Sequence, residues 1–181
     1  MPRFAAFLRG MNLGRRRIAN ADLRRHVEAL GFEDVAVFRA SGNVVLTAPD
    51  DAPVDAAGRR LEAGLAAALG YDVPVFARTA EQVRAMAALE PFPPAAMAAS
   101  KGRLQVALLT KAPSARERRA ALAHATDEDL LAIEGTELWW LPSGGMSDSQ
   151  LDLAALGTLL GPSTIRTKGT IEQIAAKHFA G

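Results

Sequence analysis

The chain predicts an α+β protein built as two halves that share one element order. Each half alternates short apolar runs with helical periodicities in the order β-α-β-β-α-β-α. A stretch rich in proline and small residues, EPFPPAAMAASKG, separates the two. The composition fits: 181 residues, 49% apolar and 23% charged, are enough for a buried core and ordinary for a globular chain. The expected organisation is residues 1–90, a linker at 91–102, and residues 103–181.

In the first half, Phe4–Leu8 reads as a buried strand. NADLRRHVEALGF places Leu23, Val27 and Leu30 at helical spacing, with Asn20 as N-cap and Gly31 where a C-cap belongs. DVAVFRASGNVVLTA reads as two strands joined by a Ser-Gly-Asn turn. Val54–Leu69 is a helix ending at Gly70, and YDVPVFAR is a strand whose Pro74 suits a sheet edge. TAEQVRAMAAL opens on the capping box Thr79…Gln82.

The second half repeats the order. RLQVALLT is a strand, and SARERRAALAHA a helix with the box Ser114…Glu117. DLLAIEGTELWWLP is a strand pair turning at Gly135, SDSQLDLAALGTLLG a helix opened by Ser147…Gln150, STIRTK a strand, and TIEQIAAKHF a helix with the box Thr170…Gln173. A β-α-β-β-α-β unit is the ferredoxin-like arrangement, so the expected fold is two tandem ferredoxin-like halves, each with an extra helix.

That topology has a functional consequence. Its strand order is 4-1-3-2 with antiparallel neighbours, so the end of the first strand and the turn between the second and third share one sheet edge. Arg9–Arg17 should therefore lie beside Ala40–Asn43. Gly10 and Gly14 free backbone amides to face outward, arginines such as Arg9 and Arg15 offer bidentate donors, and Asn12 and Asn43 add amides. Together with Ser41 and Gly42 these residues form a candidate anion site. The alternative is a hairpin whose Gly42 and Asn43 only satisfy positive φ, beside a solvated basic loop. The Gly-x-x-x-Gly spacing carries neither a Walker A nor a dinucleotide fingerprint.

Other features exclude more than they assign. The net charge of +1 gives no global pull towards nucleic acid or membrane. Arginine outnumbers lysine by 17 to 4, so an isolated Arg-Arg pair means little. The absence of cysteine removes disulfides, thiolate metal sites and thiol nucleophiles. His26, His124 and His178 fall on different predicted helices with no metal-ligand spacing, and no metal or cofactor is expected. No segment approaches ~20 apolar residues, so a cytoplasmic protein without a membrane partner is expected. Ser147-Asp148-Ser149 reads as a helix cap, and Arg116, Arg118 and Arg119 as a solvated face. Trp139 and Trp140 should face opposite sides of their strand, one in the core and the other open to a groove or dimer contact.

FLRGMNLG, RASGNVV, VPVFARTAEQV followed by PF, and GPSTIRTKGTIEQIA together resemble the bacterial domain-of-unknown-function family 1697 over nearly the whole chain. The family's opening Leu-Arg-Gly-Ile-Asn-Val-Gly-Gly is matched by Leu8, Arg9, Gly10, Asn12 and Gly14, with Arg15 at the second glycine. Ser41, Gly42 and Asn43 match its Ser-Gly-Asn. Its Thr-Thr-Arg-Asn-Trp-x-Thr is met by Thr164, Arg166 and Thr170, with Thr167 and Lys168 in place of Asn and Trp. The resemblance implies two ferredoxin-like halves and no established activity. It adds Arg166 as a candidate, either for ligand contact or as a tie between the halves.

Three functions follow. The first is a binding module for a phosphorylated small molecule or a nucleic-acid backbone, centred on Arg9–Gly14 and Ser41–Asn43. Base stacking is not expected, because the third strand carries no aromatic residue. The second is a hydrolase of phosphate esters or acyl phosphates, by fold-level analogy with acylphosphatases, whose arginine and asparagine Arg9 and Asn43 echo. The third is an interaction protein acting as a homodimer through a sheet edge or the Trp140 region. Binding is favoured over catalysis, because donors abound and no convincing nucleophile or general base stands out.

Overall fold

The computed structural model describes residues 1–39 and 42–181; the Ala40–Ser41 half of the Ser-Gly-Asn turn lies outside them. The protein is α+β, with two four-stranded antiparallel sheets. It divides into two compact units, one of Met1–Ala85 with Ile174–Gly181, the other of Met86–Gln173.

The first unit runs β1 (Arg3–Leu8), α1 (Asn20–Ala29), β2 (Glu33–Phe38), β3 (Asn43–Thr47), α2 (Val54–Leu69) and β4 (Val75–Thr79), and α3 (Ala80–Ala88) then begins in it. Its sheet order is β2-β3-β1-β4, the order expected from the sequence, with β4 at an edge next to Pro74. Phe4, Ala6 and Leu8 of β1 join Leu23 and Val27 of α1, Leu46 of β3 and Leu61 and Leu65 of α2 in one core. Phe4 meets Phe32 edge-on, with ring centroids 6.3 Å apart. Ala5 and Phe7 point to the opposite face and are buried too, which is why β1 reads as an unbroken apolar run. The β2–β3 ladder shifts register between Glu33 and Ala36, where Asp34 takes a left-handed φ of 49°. Arg84 Nη1 donates to the carbonyl of Phe179 at 3.3 Å, tying the closing segment to α3.

The second unit contains α4 (Pro94–Ala99), β5 (Gln105–Leu109), α5 (Ala115–Leu122), β6 (Asp129–Glu134), β7 (Glu137–Pro142), α6 (Leu153–Leu160), β8 (Ser163–Thr167) and the start of α7 (Lys168–His178). Its sheet order, β6-β7-β5-β8, is the first unit's order repeated. Ala107, Leu109, Ile133, Leu138, Leu156 and Leu160 form its core. Lys168 is buried and forms ion pairs with Glu90 at 2.9 Å and Glu172 at 3.1 Å.

Several local expectations change. The stretch read as a linker holds α4, because Pro94 with its fixed φ suits the first helical turn and alanines follow. Residues 100–102 are also tied down. Lys101 N donates to Ser143 O at 2.9 Å, and a Cβ on Gly102 would collide with the backbone oxygens of Pro142 and Gly144, so only glycine fits. Helix α1 starts at Asn20 itself, with Ala19 at the cap and no side-chain cap bond. Ser147 and Gln150 do not open α6. Met146–Asp148 is a short 3-10 turn, and Asp152 caps the helix by accepting from Ala155 N at 2.9 Å. The boxes Thr79…Gln82 and Ser114…Glu117 form as expected.

Trp139 and Trp140 do point to opposite faces, but both are buried, at 0% and 3% exposure, because both faces of this sheet are covered. Trp140 therefore opens to no groove. Its Nε1 donates to Asp129 Oδ1 at 2.8 Å, and Ser149 Oγ donates to the same oxygen at 2.7 Å.

Candidate functional site

The loop between β1 and α1 is shaped by its own backbone. Gly10 and Gly14 adopt left-handed φ values of 75° and 58°. Nothing lies within 4 Å of a Cβ built on Gly14, so glycine is favoured there by conformation alone and not by space. Asn12 staples the loop shut: its Oδ1 accepts from Ile18 N at 3.1 Å, while its carbonyl accepts from Arg17 Nη1 at 3.1 Å. Arg16 N closes a turn onto Leu13 O at 2.9 Å. Holding the loop by Asn12 leaves Arg15, Arg16 and Arg17 exposed in succession.

The end of β1, from which the loop leaves, meets the described half of the turn. Leu8 N donates to Gly42 O at 2.8 Å and Phe7 pairs with Asn43, so the end of β1 and the turn meet at one sheet edge. Arg9 N donates to Pro74 O at 3.0 Å, and its side chain is exposed. Asn43 is 4% exposed, and its Nδ2 donates to Phe38 O at 2.9 Å, across the turn that it closes. Arg39 leads into that turn with a left-handed φ of 48°.

A cleft of about 540 Å3 adjoins the loop. It is lined by Arg15, Arg16, Arg17, Arg25, His26 and Tyr71, together with Ile18, Asp22 and Leu69. Helix α1 contributes Asp22, Arg25 and His26 at three- and four-residue spacing, on a face beside the one that buries Leu23 and Val27. Tyr71 arrives from the turn after α2, which Gly70 ends in a left-handed conformation. Arg16 Cζ lies 4.2 Å from the centre of the Tyr71 ring. Arg25 is paired with Asp22, the one carboxylate lining the cleft. Among the described residues, Arg15, Arg16 and Arg17 meet no carboxylate.

Of the residues named one by one as the candidate site, only Arg15 lines this cleft, joined by Arg16 and Arg17 from the same Arg9–Arg17 stretch. Gly10, Asn12 and Gly14 shape the loop, Gly42 and Asn43 hold its β1 end, and Ser41 lies outside the described residues. Arg166 belongs to the second unit. It is largely buried on β8, where Nη1 donates to Thr164 Oγ1 at 2.9 Å and Ile165 O at 2.8 Å, and burial pulls its guanidinium down to about 10. Arg25, His26 and Tyr71 were not foreseen as site residues. The usable signal was that Tyr71 is the chain's single tyrosine and directly follows a helix-ending glycine. Among the described residues, no group of three or more His, Asp or Glu side chains is arranged to hold a metal ion, and no helix is long and apolar enough to cross a membrane.

The conserved bacterial protein SP0830 from Streptococcus pneumoniae has a similar structure, with a TM-score of 0.70, 20% identity, and coverage of 97% of each chain. At that identity the likeness speaks for the fold alone. No curated protein matches the chain. The family described as "Protein of unknown function (DUF1697)" matches residues 1–139, a span that holds the loop, the turn and every residue lining the arginine cleft. The chain belongs to the DUF1697 family.

Proposed function

We propose that the protein is a binding module for a small phosphorylated anion, held in the arginine cleft of a unit that we read as ferredoxin-like from its strand order. One observation carries this: three successive guanidiniums line a single cleft, and among the described residues none of them meets a carboxylate. Like charges held this close repel one another, and a bound anion relieves that repulsion. Guanidiniums suit phosphate because their planar forks donate two parallel hydrogen bonds to two oxygens. Gly10, Asn12 and Gly14 serve as the frame that presents the arginines, and the Gly42–Asn43 end of the turn anchors that frame. Exposed Arg9 extends the positive surface at the start of the loop.

Binding is preferred to hydrolysis of a phosphate ester or acyl phosphate. Among the described residues lining the cleft, no nucleophile is hydrogen-bonded to a general base, and Asp22 is occupied by Arg25. The test is calorimetric titration with pyrophosphate at low and high ionic strength. Binding should appear at low salt and weaken as salt rises. Arg15→Ala and Arg17→Ala should each weaken it by about tenfold, the order expected for one charge-assisted contact. No binding at low salt, or equal binding by an Arg15→Ala/Arg17→Ala double variant, would overturn the proposal.

A further inference from the structure

The arginine cleft offers more than charge. Beside its guanidiniums stands a wall of Tyr71, Leu69 and Ile18. Arg16 approaches Tyr71 more closely than either other cation–ring pair among the described residues, 4.2 Å against 5.6 Å for Arg39 on Phe38 and 5.8 Å for Arg60 on Phe32. That contact pins one guanidinium at the boundary between the charged and apolar parts of the cleft. A bare phosphate gains nothing from such a wall, since its oxygens want donors and its hydration is lost against carbon. A ligand with an anionic end and a flat, weakly hydrated end uses both parts.

On the anion-binding role just given, and resting on it, we infer that the ligand is a nucleoside diphosphate. Its phosphates meet Arg15 and Arg17, and its base stacks at the Tyr71–Arg16 pair. Aromatic rings and arginine planes are the two platforms on which nucleobases stack in proteins, and here they adjoin. The ring contact also holds Arg16 in place before any ligand arrives, which reduces the ordering cost of binding. At about 540 Å3 the cleft falls within the size range of small-molecule sites.

The experiment is titration of the full chain with ADP, UDP, pyrophosphate and a short single-stranded oligonucleotide. The nucleotides should bind about tenfold more tightly than pyrophosphate, the increment expected from one stacked base. Tyr71→Leu should abolish the nucleotides' advantage, so that this variant binds ADP and UDP no more tightly than it binds pyrophosphate, and Tyr71→Phe should keep the increment. Arg16→Ala, at an exposed position, should reduce nucleotide binding more than pyrophosphate binding. Arg15→Ala should weaken both ligands alike. Equal affinity for ADP, UDP and pyrophosphate, or an increment that survives both Tyr71→Leu and Arg16→Ala, would overturn the nucleotide while leaving the anion site standing. An oligonucleotide bound more tightly than ADP would replace the free nucleotide by a strand. No binding of any probe would remove both proposals.

Discussion

The two units are built to one plan and differ where it matters. Leu8 N on Gly42 O at 2.8 Å is answered by Leu109 N on Thr136 O at 2.9 Å. Arg78 on β4 and Arg166 on β8 each donate Nη1 to the carbonyl just before them, at 2.9 and 2.8 Å, and each is followed by a threonine that receives a backbone N–H at the helix start. Between first strand and first helix the plan diverges. In the second unit residues 110–114 make a short link ending in the Ser114 capping box. In the first unit residues 9–19 carry two left-handed glycines, the Asn12 staple and three exposed arginines. The same plan is closed by a short link in the second unit, while in the first unit Met11 of the longer loop joins the core and Ile18 packs against it.

The largest expected break in the correspondence lies in the core. By register Phe4 matches Gln105, because each pairs with the threonine that ends its fourth strand. Phe4→Ala should cost about 3–5 kcal/mol in denaturant unfolding. Gln105→Ala removes a smaller buried side chain that donates to Arg103 O at 3.0 Å and should cost less, about 1–3 kcal/mol. Next comes the turn. Asn43→Ala strips a buried donor from Phe38 O and should cost about 1–3 kcal/mol, whereas its counterpart Glu137, paired with Leu108, should lose less than about 1 kcal/mol on replacement by alanine.

The smallest effects are those of pH. Burial pulls His178 below its usual value, with Lys177 and Arg3 adding repulsion. The unfolded chain then takes up a proton that the folded one resists, so stability should fall as pH drops through about 6.5. His178→Gln should flatten that slope in thermal melts. Lys168 behaves oppositely. Burial disfavours its charge, but Glu90 and Glu172 outweigh burial and raise it. Its contribution is complete below the ordinary lysine value and should be lost as pH rises through the raised one, and Lys168→Met should abolish that alkaline loss.

Much of this plan was legible in the sequence. Turn glycines, capping boxes and apolar runs are local signals, and they gave the element order, from which the strand order and the meeting of Leu8 with Gly42 followed. What escaped depends on contacts distant in sequence. Trp140 looked available because one strand cannot show that both faces of its sheet are covered. Tyr71 lies far from Arg16 along the chain, and only the return of α2 beside α1 sets the ring under the guanidinium. The three arginines carried little weight in so arginine-rich a chain. Their shared exposure on one cleft gives them significance, and exposure is a property of the fold.

The grouping of Ile174–Gly181 with the first unit bears on the order in which the chain is made. The second unit, Met86–Gln173, emerges from the ribosome as one unbroken stretch and has all its own residues before the first unit receives its last. Translation at about 5–20 residues per second leaves the first unit without its closing segment for several seconds. During that interval the partner of Arg84, the Phe179 carbonyl, has yet to be synthesised. The half that carries the arginine cleft is therefore begun first and finished last.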